Sequence, residues 1–244
     1  MALKVHVWRR CHRIISVLVA TQLLIWLMSG LYFNLVPYEY LKATTFLNKQ
    51  TKENITLTPS NIPKINELLH RYPNTEHIEI TVYGNKHYAL LTHRIKRYQH
   101  QCQDQTLLDL DTLQETQIEE STARLIAYQS YKGSAEIKNV RQIQGQSSPW
   151  LKQCNLLWRI EFEDDYQTRA YIQVNNGILV GHKNKYSIFS DWAFRLHFMD
   201  YQGKGGFNNV FIWLFAGLAL LLCISGFINF YHNYKKGRYT KSRP

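Results

Sequence analysis

Apolar residues gather in two blocks near the ends of the chain and are patterned between them. Ile14 to Phe33 holds no charged residue. It runs for roughly 20 positions, the length of helix that crosses a hydrocarbon core of roughly 30 Å. Phe207 to Phe230 is also free of charge and slightly longer. The first block is too long for a signal-peptide core, and no small-x-small cleavage site follows it, so the pattern predicts a retained helix. Just beyond it, the aromatics of Asn34-Leu-Val-Pro-Tyr-Glu-Tyr40 stand like an interfacial belt.

Between the blocks the period changes. Thr58-Pro59-Ser60 reads as a helix start, with Ile62, Ile65, Leu68 and Leu69 at helical spacing and a stop near Tyr72-Pro73-Asn74. Strand-like stretches follow at Ile78 to Tyr83 and Tyr88 to Thr92, joined at Gly84-Asn85, then at Thr106 to Leu110. The order then repeats. Thr116-Gln-Ile-Glu119 has the form of a capping box opening a helix with Ile118, Thr122, Leu125 and Ile126 on one side, and Gly133 is its stop. Strands are expected at Ala135 to Ile143, Trp158 to Phe162 and Thr168 to Val174. The turn Asn175-Asn176-Gly177 leads to a last strand, Ile178 to Val180. Two units of one helix and antiparallel strands result, read either as a repeat or as one α+β domain; both put helices on a face of an antiparallel sheet.

Charge turns this pattern into a topology. Residues 1–13 carry Lys4, Arg9, Arg10 and Arg13; residues 231–244 carry Lys235, Lys236, Arg238, Lys241 and Arg243; neither tail holds an acid. Short basic flanks stay cytoplasmic, so both termini are expected inside and residues 35–206 outside. The tails account for +9 of the formal +11. The basic balance therefore belongs to topology and anionic headgroups and not to nucleic acid. The expected fold class is membrane α+β: two transmembrane helices flanking a periplasmic α+β domain. The expected divisions are a cytoplasmic N-terminus (1–13), helix one (14–34), two external units (35–115 and 116–200), helix two (207–230) and a cytoplasmic basic tail (231–244).

Particular stretches resemble known families. Ile118-Glu-Glu-Ser-Thr-Ala-Arg-Leu-Ile-Ala127, Leu157-Trp-Arg-Ile-Glu-Phe162 and the hairpin from Thr168 to Leu179 resemble a PepSY domain; the first unit, closing at Leu107-Leu-Asp-Leu-Asp111, resembles a degenerate copy. The usual Asp and Thr of the closing hairpin are replaced, with Asn175 standing there. His12-Arg13, Phe194-Arg-Leu-His197, the glycines 203, 205 and 206, and the steps Ser29-Gly30 and Ser225-Gly226 resemble the PepSY-associated transmembrane family. That family includes iron-regulated membrane proteins and ferric-siderophore reductases. The resemblance implies a bacterial inner-membrane protein. The larger reductases have four or more helices where this chain has two, which puts activities that need the others in doubt.

Histidine is the residue type with chemistry to offer. Haem b in a helical bundle is held by histidines on facing helices. His12 and His232 both fall at the inner ends of their helices, and His197 falls outside, before helix two. They are the candidate haem ligands: His12 with His232, or His197 with a histidine from another chain. The competing readings are interfacial polar residues near headgroups and, for His12 and His197, structural residues hydrogen-bonded between helices or to the external domain. His70, His77, His87, His93 and His100 have no metal-site spacing, and no phosphate loop, H-E-x-x-H or nucleophile elbow occurs. Cys102 and Cys154, both in the external segment, are disulfide candidates. Ser29, Gly30, Ser225 and Gly226 are candidate positions of close helix packing, at opposite depths and so not in contact with each other.

Two functional classes follow. The first is a non-enzymatic accessory or binding module, acting on a membrane or periplasmic protein, or in a homodimer, through its external domain and exposed sheet edges. The second is a haem-carrying electron-transfer subunit tied to iron uptake. Regulation of a periplasmic peptidase is implied only by the resemblance.

Overall fold

The computed structural model describes residues 2–48, 61–98, 100–202 and 208–235. The expected helix start at Thr58-Pro59-Ser60 and the glycines 203, 205 and 206 lie outside the described residues. The elements run α1 (Ala2–Leu35), α2 (Tyr38–Lys42), α3 (Asn61–Arg71), β1 (His77–Tyr83), β2 (Lys86–Arg94), β3 (Asp104–Asp109), α4 (Glu120–Ser130), β4 (Ile137–Ile143), β5 (Leu157–Phe162), β6 (Arg169–Gln173), β7 (Leu179–Lys183), α5 (Lys185–His197) and α6 (Val210–Lys235). They form two compact units: Met1–Val36 with Ser190–Pro244, and Pro37–Phe189.

The helical unit is built on α1 and α6. Apolar segments long enough to cross a membrane run from His12 to Leu35 and from Val210 to Ile228. α1 begins well before its apolar block, at Ala2. Val19, Met199 and Phe215 are buried between the elements, with Trp26 and Ile212 packed on them. The outward residues stay large and apolar: Met28 is 73 % exposed and Trp213 73 %. A water-soluble bundle buries such a face, and a helix surrounded by lipid does not need to.

The α+β unit contains two antiparallel meanders, β1-β2-β3 and β4-β5-β6-β7. β2 is the central strand of the first and is buried on both faces, so its alternation feeds two cores. Ala89 and Leu91 join Leu68 of α3, Leu108 and Leu110. Tyr88 and Leu90 join Leu107, Ile126 of α4, and Ile160 and Ile172 of the second sheet. α4 thus supplies a core shared by both sheets. The turn between β6 and β7 uses Gly177 at φ +73°, where a Cβ would stand 2.6 Å from the Tyr83 ring, so glycine is required twice over. Cys102 and Cys154 are joined by a disulfide (Cα–Cα 5.0 Å) that ties the β2–β3 connection to the β4–β5 connection. Closing a loop of 52 residues restricts the unfolded chain by about 4 kcal/mol. Beside it, Cys102 N–H donates to Lys152 O (2.9 Å).

Three expectations are corrected. Thr116 opens no capping box: α4 starts at Glu120, with Glu119 as the N-cap and no side-chain cap bond. The preceding segment is held extended instead, because Thr116 N–H donates to Leu107 O, Ile118 N–H to Val174 O, and Trp158 Nε1–H to Ile118 O. The buried face of α4 is Ala123, Ile126, Ala127 and Ser130, while Leu125 is exposed. Finally, α5 was not expected at all: its buried residues include Ser187, Ser190 and Ala193, too small to leave an apolar period.

Candidate functional site

The two membrane-length helices bring histidines onto serines. At one level His12 Nδ1 lies 3.3 Å from Ser225 Oγ of α6. At the other, His197 Nδ1, in the last turn of α5, lies 2.8 Å from Ser29 Oγ of α1. A serine hydroxyl has one proton. Ser225 donates its own to Leu222 O (2.9 Å), and Ser29 donates to Ile25 O (2.6 Å). With that proton on the carbonyl the serine accepts from Nδ1–H; with it turned to the ring, Nδ1 accepts; in either case Nδ1 is the nitrogen engaged by the serine. His12 and Ser29 are 17 positions apart on α1, so the two levels stand roughly 25 Å apart.

The surroundings of the two levels differ. Around His197 stand Phe198 (centroids 5.1 Å), Phe33 (6.1 Å) and Trp26 (6.3 Å). Trp26 Nε1 is buried and has no acceptor. Gln22 and Asp200 are buried in the same unit. Gln22 Nε2 donates to Leu196 O (3.4 Å), and Tyr201 Oη–H donates to Gln22 Oε1 (3.4 Å). Polar groups at this depth in an apolar helix pair are costly unless they are used.

The site residues expected from sequence separate on this geometry. His12 and His197 do not meet; each has its own serine. His232 is on α6, and its side chain lies outside the described residues. Among the described residues Gly30 and Gly226 make no close helix contact, since a Cβ on either would meet nothing within 4 Å. The serine of each step makes the contact instead, and it does so with a histidine. The signal was present as a serine one helix away from each histidine, but spacing within a single helix does not reveal it.

The α+β unit holds a third histidine–serine pair that sequence reasoning passed over. His182 of β7 is 4 % exposed, and its Nε2 lies 2.9 Å from Ser130 Oγ, which itself donates to Ala127 O (2.8 Å). Here Nε2 is the nitrogen engaged by the serine, and Nδ1 is buried without a partner. Burial pushes the imidazole down to about 4, against the pull of the Asp164 carboxylate. Asp164 also accepts from Tyr131 Oη–H (2.9 Å). Among the described residues no three histidine, cysteine or acidic side chains group as a metal site.

One polar cleft of about 430 Å³ opens along β3, lined by Gln105, Thr106, Glu115, Thr116, Gln117 and Asn175. β3 turns alternate backbone groups away from β2. Thr116 N–H donates to Leu107 O, and Asp109 N–H to Gln114 O. At the other end the Asn155 side chain accepts from Gln103 N–H (2.8 Å) and donates to Gln103 O (3.0 Å). Gln105, between them, faces the cleft.

The family model of the PepSY-associated TM region matches residues 2–228. The chain belongs to this family. No curated protein and no solved structure matches it. Membership makes it a membrane PepSY-domain protein, with its two apolar helices in the bilayer. The family resemblance also raises haem b, and His12 and His197 are the residues that would hold it, one at each level. His12 and His197 each turn Nδ1 to a serine, which leaves Nε2 as the ring nitrogen that would hold an iron. Trp26 Nε1–H, orphaned beside His197, is a further donor at that level.

Proposed function

We propose that this chain is a haem b-binding electron-transfer subunit of the bacterial inner membrane, with both termini cytoplasmic and residues 35–206 periplasmic. Its roles lie with ferric iron or siderophore reduction. The single supporting observation is the pair of histidines, one at each end of the helix pair, each held by a serine through Nδ1. The basic tails favour the orientation. Bound haem would supply a one-electron Fe(III)/Fe(II) couple at each level. The chain's own residues do the rest: Ser29 and Ser225 hold the rings, and the aromatic neighbours of His197 keep water from it. The test is the visible spectrum of the detergent-purified protein, oxidised and dithionite-reduced. Sharp b-type bands that fall in His12→Ala and His197→Ala are expected. A colourless protein after expression with ample haem rejects the reading.

The second reading is an accessory module that binds a periplasmic segment by adding a strand at Gln105. It is favoured by the cleft there, bounded by Asn155 and Thr116. Gln105→Pro would remove an N–H that faces away from β2, together with the side-chain bonds of Gln105 to Thr92 and Asn176, so Gln105→Ala is the matched control. Loss of a co-purifying partner in Gln105→Pro but not in Gln105→Ala supports strand addition, and a partner retained in both rejects it.

A further inference from the structure

α5 displays the residues that a water-facing helix hides. Phe189 is 59 % exposed and Trp192 61 %, and with Leu196 they follow at i, i+3 and i+7, which makes one stripe; Tyr186 stands at its edge. Ser187, Ser190 and Ala193 are turned inward. The stripe carries no acid, because Asp191 lies on another side of the helix, and Lys185 closes its N-terminal end with Nζ 5.3 Å from the Tyr186 ring centroid.

We propose that α5 is an interfacial helix whose aromatic stripe seats in the headgroup region of the bilayer. The C-terminal half of α5 belongs to the same compact unit as the two membrane-length helices. It is pinned there by the His197–Ser29 bond, by Phe194 against Phe33 (centroids 6.1 Å) and by Gln22 donating to Leu196 O. The following turn is pinned as well, since Asn209 Nδ2 donates to Phe198 O (2.8 Å) just ahead of α6. Trp192 and Leu196 stand in the same compact unit as the two membrane-length helices, and an exposed apolar face there has lipid as its neighbour. Indole and phenol rings suit that boundary because each has an apolar body and a polar tip, and lysine beside them suits lipid phosphate. The occupant is therefore a phospholipid surface and not a second copy or a soluble protein.

The test uses the full chain with Cys11 and Cys223 replaced by serine, in nanodiscs of phosphatidylethanolamine and phosphatidylglycerol. A nitroxide is placed at Phe189→Cys, at Trp192→Cys and, as the water-exposed reference, at Thr112→Cys. The two α5 labels are expected to show an oxygen-to-nickel-chelate collision ratio several-fold above that of Thr112→Cys. A ratio equal to the reference overturns the proposal in favour of a water-facing helix. Low collision with both probes overturns it in favour of a protein neighbour. A second measurement avoids the labels: lipids brominated near the headgroup are expected to quench tryptophan fluorescence less in Trp192→Phe than in the unaltered chain. Equal quenching in the two also overturns the proposal.

Discussion

The protein uses one device, a histidine hydrogen-bonded to a serine whose own proton goes to a helix carbonyl, in two regions with opposite results. In the α+β unit, His182 turns Nε2 to Ser130 and buries Nδ1, the nitrogen nearest its own backbone. Nothing can approach that nitrogen without opening the core. In the helical unit, His12 and His197 turn Nδ1 to their serines, which leaves the distal Nε2. Both rings are only partly buried. Which nitrogen is tied to serine therefore separates a ring that holds a fold together from a ring able to hold a ligand.

The largest expected effect comes from exchanging the two roles. His182→Ala is expected to cost about 3 to 4 kcal/mol of stability, through a cavity and an unpaired Ser130, with the visible spectrum unchanged. His197→Ala is expected to do the reverse: it removes haem absorbance and shifts unfolding of the α+β unit by less than about 0.5 kcal/mol. Denaturant unfolding followed by tryptophan fluorescence, with a spectrum of each variant, checks both. A spectrum lost in His182→Ala would break the comparison.

Acid probes the same contrast. The folded His182 takes a proton only near pH 4, whereas an unfolded histidine takes one near 6.5. Between those values the unfolded chain binds the extra proton, so stability falls as pH falls from about 6.5 to 4, by up to about 3 kcal/mol. Unfolding midpoints over that range should lose most of this slope in His182→Gln. The core around Ser130 can be tested next. Ile126→Ala should cost about 2 to 3 kcal/mol, and Leu125→Ala less than about 1, because only Ile126 shares the buried face of α4 with Ser130. Equal losses would restore the face expected from sequence. Smallest is Ser29→Ala, which frees the His197 ring without removing it. Haem retention in competition with apomyoglobin should weaken about 10-fold, with Ser29→Thr recovering most of it.

Much of the fold was legible because its signals are local. The hairpin of β1 and β2 follows from alternation around Gly84-Asn85, and β6 with β7 from Asn176-Gly177. The two long helices follow from length and absence of charge. The capping box at Thr116 failed because long-range hydrogen bonds hold that segment extended, and the other two failures share one cause, which is that burial was inferred from side-chain size. Leu125 was placed inward because it is large, and α5 was missed because the residues it buries are small and those it exposes are aromatic. The site was half legible. Histidine type and position pointed to His12 and His197, but their partners lie 213 and 168 residues away in sequence, and a long-range pair of this kind has no periodic trace. His182 was invisible for the same reason.

The two meanders carry a last consequence, for the order in which the chain is made. In each sheet every strand pairs only with its neighbours in sequence, so no strand must wait for a distant segment before it can pair. Such topologies have short contact separations and fold quickly. The shared core around α4, the Cys102–Cys154 disulfide and the Gln103–Asn155 bonds join residues of the early sheet to residues of the late one. A chain emerging head first through a translocation channel is thus expected to settle β1 to β3 while β4 to β7 are still threading, with α4 as the piece that commits the second half to the first.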